Sequence, residues 1–149
     1  MEPRLEPGLS ATLDYTVPEH RTVPHLLPES ETFAAMPGVL ATGYLVGLVE
    51  WTCMRALAPF LRADQRTLGV HVDLSHEAPT PPGSTVSIEV VLTAVEGRRL
   101  LFEVVARDEA AVVCRGTHRR AIVDLSRFES ALAARDGQPS ASVTADRSK

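Results

Sequence analysis

Hydrophobic residues recur along this chain in two distinct rhythms. Over 9–17 they alternate: Ala11, Leu13, Tyr15 and Val17 share one face, Ser10, Thr12, Asp14 and Thr16 the other. That period of two predicts a half-buried strand. The same rhythm returns after residue 66. In TLGVHVDLSHEA it places Val70, Val72, Leu74 and His76 on one face and His71 opposite; over 84–93 it aligns Val86, Ile88, Val90 and Leu92; over 100–107, Leu100, Phe102, Val104 and Ala106. A further strand is predicted over 112–123, with Gly116 as a bulge or close-approach position. Between Pro37 and Pro59 the rhythm breaks. PGVLATGYLVGLVEWTCMRALAP carries apolar residues at every helical angle, which predicts a buried helix over about 38–58. Such a helix is roughly 30 Å long. Glu50 and Arg55 lie inside it and argue against a membrane span, where ionisable groups are costly.

The connections set the architecture. APTPPG at 78–83, Glu96-Gly97 and Asp108-Glu109 read as turns, and short turns join antiparallel neighbours. Residues 18–37 hold Pro18, Pro24, Pro28 and Pro37 beside Val23, Leu26, Leu27, Phe33 and Met36; a long apolar connection reads as a packed lid, with a short helical turn at Ser30-Glu-Thr-Phe. Ser126 and Glu129 have capping-box spacing and predict a helix to about Ala134. The fold expected is α+β, one antiparallel sheet wrapped around one long helix. Its domain spans 9–134, after a loose lead-in at 1–8 and before a disordered tail at 135–149. A single curved sheet covers a helix that is apolar all round incompletely, so a homodimer is expected.

Composition narrows the class. A length of 149 residues fits one domain, and 44% hydrophobic with 23% charged residues is ordinary for a globular protein. A net charge of −4 leaves no footprint for nucleic acid, and Arg98-Arg99 and Arg119-Arg120 are pairs rather than a basic stripe. MEPRLEPGLS has no apolar core of a signal peptide, and Cys53 and Cys114 sit in apolar segments without metal-ligand spacing. A cytoplasmic protein is expected. Glu50 therefore stands out as a carboxylate in the middle of a core helix.

From about Asp14 to Phe128 the chain resembles the fluoroacetyl-CoA thioesterase family, hot-dog-fold enzymes that cleave acyl-CoA thioesters. TVPEHRTVPHLLPES, ATGYLVGLVEWTCMRALAP, SHEAPTPPG, VEGRRL and GTHRRAIVDL carry the likeness. The resemblance implies a catalytic set of Thr42, Glu50 and His76, with Gly69 lining the site and Arg120 near the ligand. It implies hydrolysis of fluoroacetyl-CoA or a similar small activated acyl-CoA, with no cofactor beyond the CoA of the substrate. One departure concerns selectivity. The family's lid carries two phenylalanines near the acyl pocket, whereas this chain has Phe33 and Met36.

Thioester cleavage needs a nucleophile or activated water, a proton carrier and donors for the developing oxyanion. Glu50 suits either of the first roles; otherwise it is a packing ion pair. His76 titrates in the neutral range but is equally a core histidine. Thr42 is a hydroxyl donor or a helix cap, and the N–H of Gly43, in the first helical turn, is open to close approach. His118 shares a strand face with Arg120 and reads as solvated. Thr42 and Glu50 are eight residues apart, about 12 Å along one helix. They cannot meet within one chain, which predicts sites at the dimer interface. Two other readings remain open: a hot-dog hydratase or dehydratase, and a non-catalytic acyl-CoA binding module.

Overall fold

A computed structural model describes residues 4–136. In chain order these form β1 (Ser10–Thr16), α1 (Val23–Leu26), α2 (Glu31–Ala34), α3 (Thr42–Leu57), β2 (Gln65–Leu74), β3 (Thr85–Glu96), β4 (Arg99–Arg107), β5 (Val112–Asp124) and α4 (Leu125–Asp136). All strand pairs are antiparallel and the sheet order is β1-β3-β4-β5-β2. β2 precedes β3 in sequence yet lies at the edge beyond β5, so the segment 75–84 carries the chain past β5 and β4.

The alternation of the strands explains the core. Val86, Ile88, Val90 and Leu92 of β3 and Leu100, Phe102, Val104 and Ala106 of β4 are all buried on the face that meets α3. From α3 they meet Leu45, Leu48, Val49, Cys53, Ala56 and Leu57. Each large apolar side chain so buried contributes on the order of 1.5–3 kcal/mol. The helix starts at Thr42, four residues later than the pattern predicts, because the Leu40 N–H donates instead to the Thr80 carbonyl and Leu40 bridges to Thr22. Nor is it buried all round: Trp51 and Met54 are 46% and 42% exposed. One stripe of α3 faces the sheet and the other is left uncovered by this chain.

The lid region is ordered by local bonds. Ser30 caps α2 by accepting from the Phe33 N–H, as the Ser-Glu-Thr-Phe pattern predicts. Val23 N–H donates to the Val39 carbonyl and closes the base of the lid. In the lead-in, Gly8 N–H donates to the Leu92 carbonyl and Leu5 packs against the core. α4 begins at Leu125, whose N–H donates to the Asp64 carbonyl, so Ser126 lies inside the first turn rather than at the cap. Most of the expected tail, 137–149, lies outside the described residues.

Two strand expectations are corrected. The register between β2 and β5 shifts between Gly69 and His71, a bulge that takes Val70 out of the ladder. Gly69 and Val72, not Val70, therefore face the same way as their partners Arg120 and His118. β2 also ends at Leu74, so His76 lies beyond the strand instead of on its apolar face.

Candidate active site

The functional side chains fall into two clusters at separate places on α3. The first is at its start. Thr42 Oγ1 is 2.7 Å from His76 Nδ1. Thr42 is the first helical residue, after Ala41 in extended conformation at the cap, so its hydroxyl has no capping duty and is free for the imidazole. His76 is held from both sides by β5. Ser75 N–H donates to the Arg115 carbonyl, Glu77 N–H donates to the Val113 carbonyl, and Glu77 pairs with Arg115 at 2.8 Å. Gly116 makes this docking possible. Its φ is +149°, and a Cβ there would overlap the Asp73 carbonyl.

His76 Nε2 is buried and has no hydrogen-bond partner among the described residues. An unpaired buried polar atom costs roughly 1–3 kcal/mol, so one retained beside an open space calls for a functional reason. The space is a cavity of about 270 Å³ containing Thr42, His76, Val23, Leu40 and Pro79. Burial lowers the His76 pKa below the ordinary histidine value and favours the neutral ring. Either neutral tautomer equips the cavity. If Thr42 donates to Nδ1, Nε2 presents an N–H. If Nδ1 donates to Thr42, Nε2 presents a lone pair and the hydroxyl is free to donate onward.

The second cluster is at mid-helix. Arg120 Nη1 donates to Glu50 Oε2 at 2.9 Å. Arg120 is only 2% exposed, against 36% for the Glu50 side chain. Its remaining contacts fix the guanidinium: Nε donates to Thr67 Oγ1, Nη2 to the Thr67 carbonyl, and Nη1 also meets His118 Nε2 at 3.2 Å. Arg120 thus grips one carboxylate oxygen, while Oε1 takes no hydrogen bond from the described residues. Gly69 completes the cluster by close approach, since a Cβ there would lie 2.7 Å from Glu50 Oε2. The ion pair is buried at its Arg120 end and open at its Glu50 end; an anchored carboxylate with one free oxygen has the chemistry to act as a nucleophile or a general base.

Of the residues nominated from the sequence, Thr42 and His76 come together, and Glu50, Gly69 and Arg120 come together. The two groups are separated along α3, as the spacing requires. Gly43 lies apart from both and packs under the lid, where an added Cβ would be 3.1 Å from Leu26 Cδ2. Phe33 and Met36 line neither cluster, and Met36 is 49% exposed. A larger cavity of about 330 Å³, between Tyr15, Arg21, Tyr44 and Trp51, contains none of the paired groups. Sequence reasoning missed Thr67 and misplaced His118, which is fully buried rather than solvated. The available signal for His118 was its two-residue spacing from Arg120 on one strand face.

Comparison with known proteins adds an independent line. The family model described as fluoroacetyl-CoA-specific thioesterase matches residues 21–126. A fluoroacetyl-CoA thioesterase of Streptantibioticus cattleyicolor is 45% identical over 130 residues, 87% of this chain and 94% of that protein. A solved structure of the fluoroacetyl-CoA thioesterase FlK superposes with a TM-score of 0.86 at 44% identity, covering 92% of this chain and 100% of its own. A Thermus thermophilus protein of the thioesterase superfamily, 23% identical, superposes with a TM-score of 0.79 over 91% of this chain and 96% of its own, which shows the shared hot-dog fold.

Proposed function

The chain belongs to the fluoroacetyl-CoA-specific thioesterase family, and on that footing we propose that it hydrolyses fluoroacetyl-CoA or a similar short acyl-CoA at a site assembled from two subunits. The enzyme is a thioester hydrolase that releases the free acid and CoA. The observation that carries the composite site is the division of the catalytic groups. Thr42 and His76 sit 2.7 Å apart at one end of α3, and Glu50 is bound to Arg120 in its middle. Eight residues of helix keep them about 12 Å apart, too far for one thioester carbon to reach both. A second chain related by two-fold symmetry supplies Glu50 to the Thr42–His76 pair and receives the reciprocal arrangement.

The surface supports that partner. β2 is an edge strand carrying Leu68, Val70 and Val72 at 37%, 44% and 46% exposure, and α3 exposes Trp51 and Met54 as well. An unpaired apolar edge is a liability for a monomer and a template for strand pairing. In the assembled site, the free Oε1 of Glu50 attacks the thioester carbonyl carbon or takes a proton from the attacking water. Thr42 and the first-turn N–H groups of α3 face the developing oxyanion, and His76 Nε2 serves the proton that CoA thiolate needs to leave. Two free, buried cysteines, Cys53 and Cys114, fit a reducing compartment, and we place the enzyme in the cytoplasm.

Thiol release from acetyl-, fluoroacetyl- and larger acyl-CoA tests the activity; no release from any member of the panel would sink it. Mixing Thr42→Ala and Glu50→Ala subunits tests the sharing. Each variant alone is inactive, and random reassortment restores about a quarter of wild-type sites. An unrecovered mixture, with subunit exchange verified, refutes the two-chain site.

A further inference from the structure

We propose that His118 is a positioning residue for the catalytic carboxylate, a hydrogen-bond acceptor that holds Arg120 in the rotation at which it grips Glu50 Oε2. This rests on the thioesterase reading for the catalytic role of Glu50.

His118 lies on β5 two residues before Arg120, on the same inward face, and is fully buried. Its two ring nitrogens meet opposite requirements. Nδ1 is 2.9 Å from the backbone carbonyl of His71, which only accepts, so Nδ1 carries the hydrogen. Nε2 is 3.2 Å from Arg120 Nη1, which only donates, so Nε2 carries the lone pair. The surroundings therefore select one neutral tautomer. The His71 carbonyl belongs to the residue that closes the β2 bulge, so the bulge and the tautomer are linked.

Arg120 Nη1 has two hydrogens. One goes to Glu50 Oε2 and the other to His118 Nε2, while Nε and Nη2 are anchored on Thr67. His118 and Thr67 thus brace the guanidinium from two sides, and Glu50 takes the direction left open. The titratable and charged groups around the imidazole are Glu50 from α3, His71 from β2 and Arg120 on its own strand. Burial is the largest influence and lowers the His118 pKa, so the acceptor form persists below the ordinary histidine range. A protonated ring would turn an N–H toward a guanidinium and release the brace.

Two amide variants separate the two nitrogens. His118→Gln can place its amide oxygen where Nε2 accepts from Arg120. His118→Asn reaches only the Nδ1 position and loses that acceptor. In the intact protein, kcat for thiol release is expected to fall about 10–100-fold for Asn with KM within about threefold, and to recover to within about fivefold of wild type for Gln. Thermal melting accompanies both. Wild-type kcat in a folded Asn variant overturns the proposal, as does an equal loss in Asn and Gln that follows their melting temperatures. Nitrogen-15 NMR of the wild-type ring must show a protonated Nδ1 and a bare Nε2; the reverse tautomer overturns it whether or not the Asn variant folds. Slowed Arg120 Nη–H resonances should survive in Gln and vanish in Asn. That readout needs no turnover. A wild-type protein without thioesterase activity would sink the functional reading and with it the catalytic part of this one, while the Arg120 brace is still read by NMR; rigid Arg120 signals in Asn would sink the brace alone.

Discussion

Replacing Gly69 with alanine adds a single methyl group beside the Glu50 carboxylate, the catalytic group of the proposed site, and leaves every backbone donor in place. The new Cβ would lie 2.7 Å from Glu50 Oε2, 3.2 Å from His118 Cε1 and 3.4 Å from Arg120 Nη1. The guanidinium is fixed by Thr67 and the imidazole by the His71 carbonyl, so the carboxylate is the part that gives. Restoring an ordinary contact requires Oε2 to retreat by about 0.5–0.7 Å. Moved away from Arg120, it stretches the 2.9 Å ion pair to the limit of a hydrogen bond. Displacements of this size in a reacting group cost up to about 100-fold in rate, equivalent to about 2.7 kcal/mol of barrier. The loss in fold stability is smaller, on the order of 1 kcal/mol, because the partly exposed carboxylate recovers water as it moves. We therefore expect kcat to fall about 100-fold with KM within about threefold, measured by chromogenic detection of free CoA thiol. The double variant with Glu50→Gln should be no worse than Glu50→Gln alone, since both act through one carboxylate. A Gly69→Ala enzyme with wild-type kcat, or fully additive losses in the double variant, would refute the reasoning.

Gly116→Ala forces a side chain into a left-handed backbone region against the Asp73 carbonyl; it should cost about 2–3 kcal/mol, a fall of about 5–10 °C in Tm, and lower kcat by shifting His76. Unchanged melting would dismiss that constraint. Met36→Phe restores a second lid phenylalanine and should narrow the range of acyl-CoA substrates; specificity ratios equal to wild type across the panel would remove the lid from the account of selectivity. For pH, His76 and His118 both have pKa values lowered by burial from the histidine value of 6.5. The unfolded chain then binds more protons than the folded one on the acid side, so the stability from keeping these rings neutral is full above about pH 6.5 and is lost as pH falls through the folded values. Tm should hold from pH 8 to 6.5 and decline below, less steeply in His118→Gln; a Tm that rises on acidification would contradict this sign.

Much of the molecule was readable from residue order, for a physical reason that applies to local patterns. Period-two alternation is set by the pleat of each strand, and the long apolar run between Pro37 and Pro59 has few other solutions than a core helix. Glu50 stood out because a carboxylate within such a run is costly unless it is paired. The eight-residue interval from Thr42 to Glu50 also excluded a contact within one chain, since helix rise is the same in any context. The tertiary structure decided what depends on neighbours distant in sequence. Whether His118 is solvated or buried is settled by α3, whose Glu50 meets Arg120 over the same strand face. The β2 bulge puts Gly69 in place of Val70 on the face that Val72 shares, and alternation alone carries no sign of it. His76 reaches Thr42 only because Gly116 lets the chain after β2 close onto β5. Arg120 grips Glu50 only because Thr67 and His118, from two strands, aim its guanidinium.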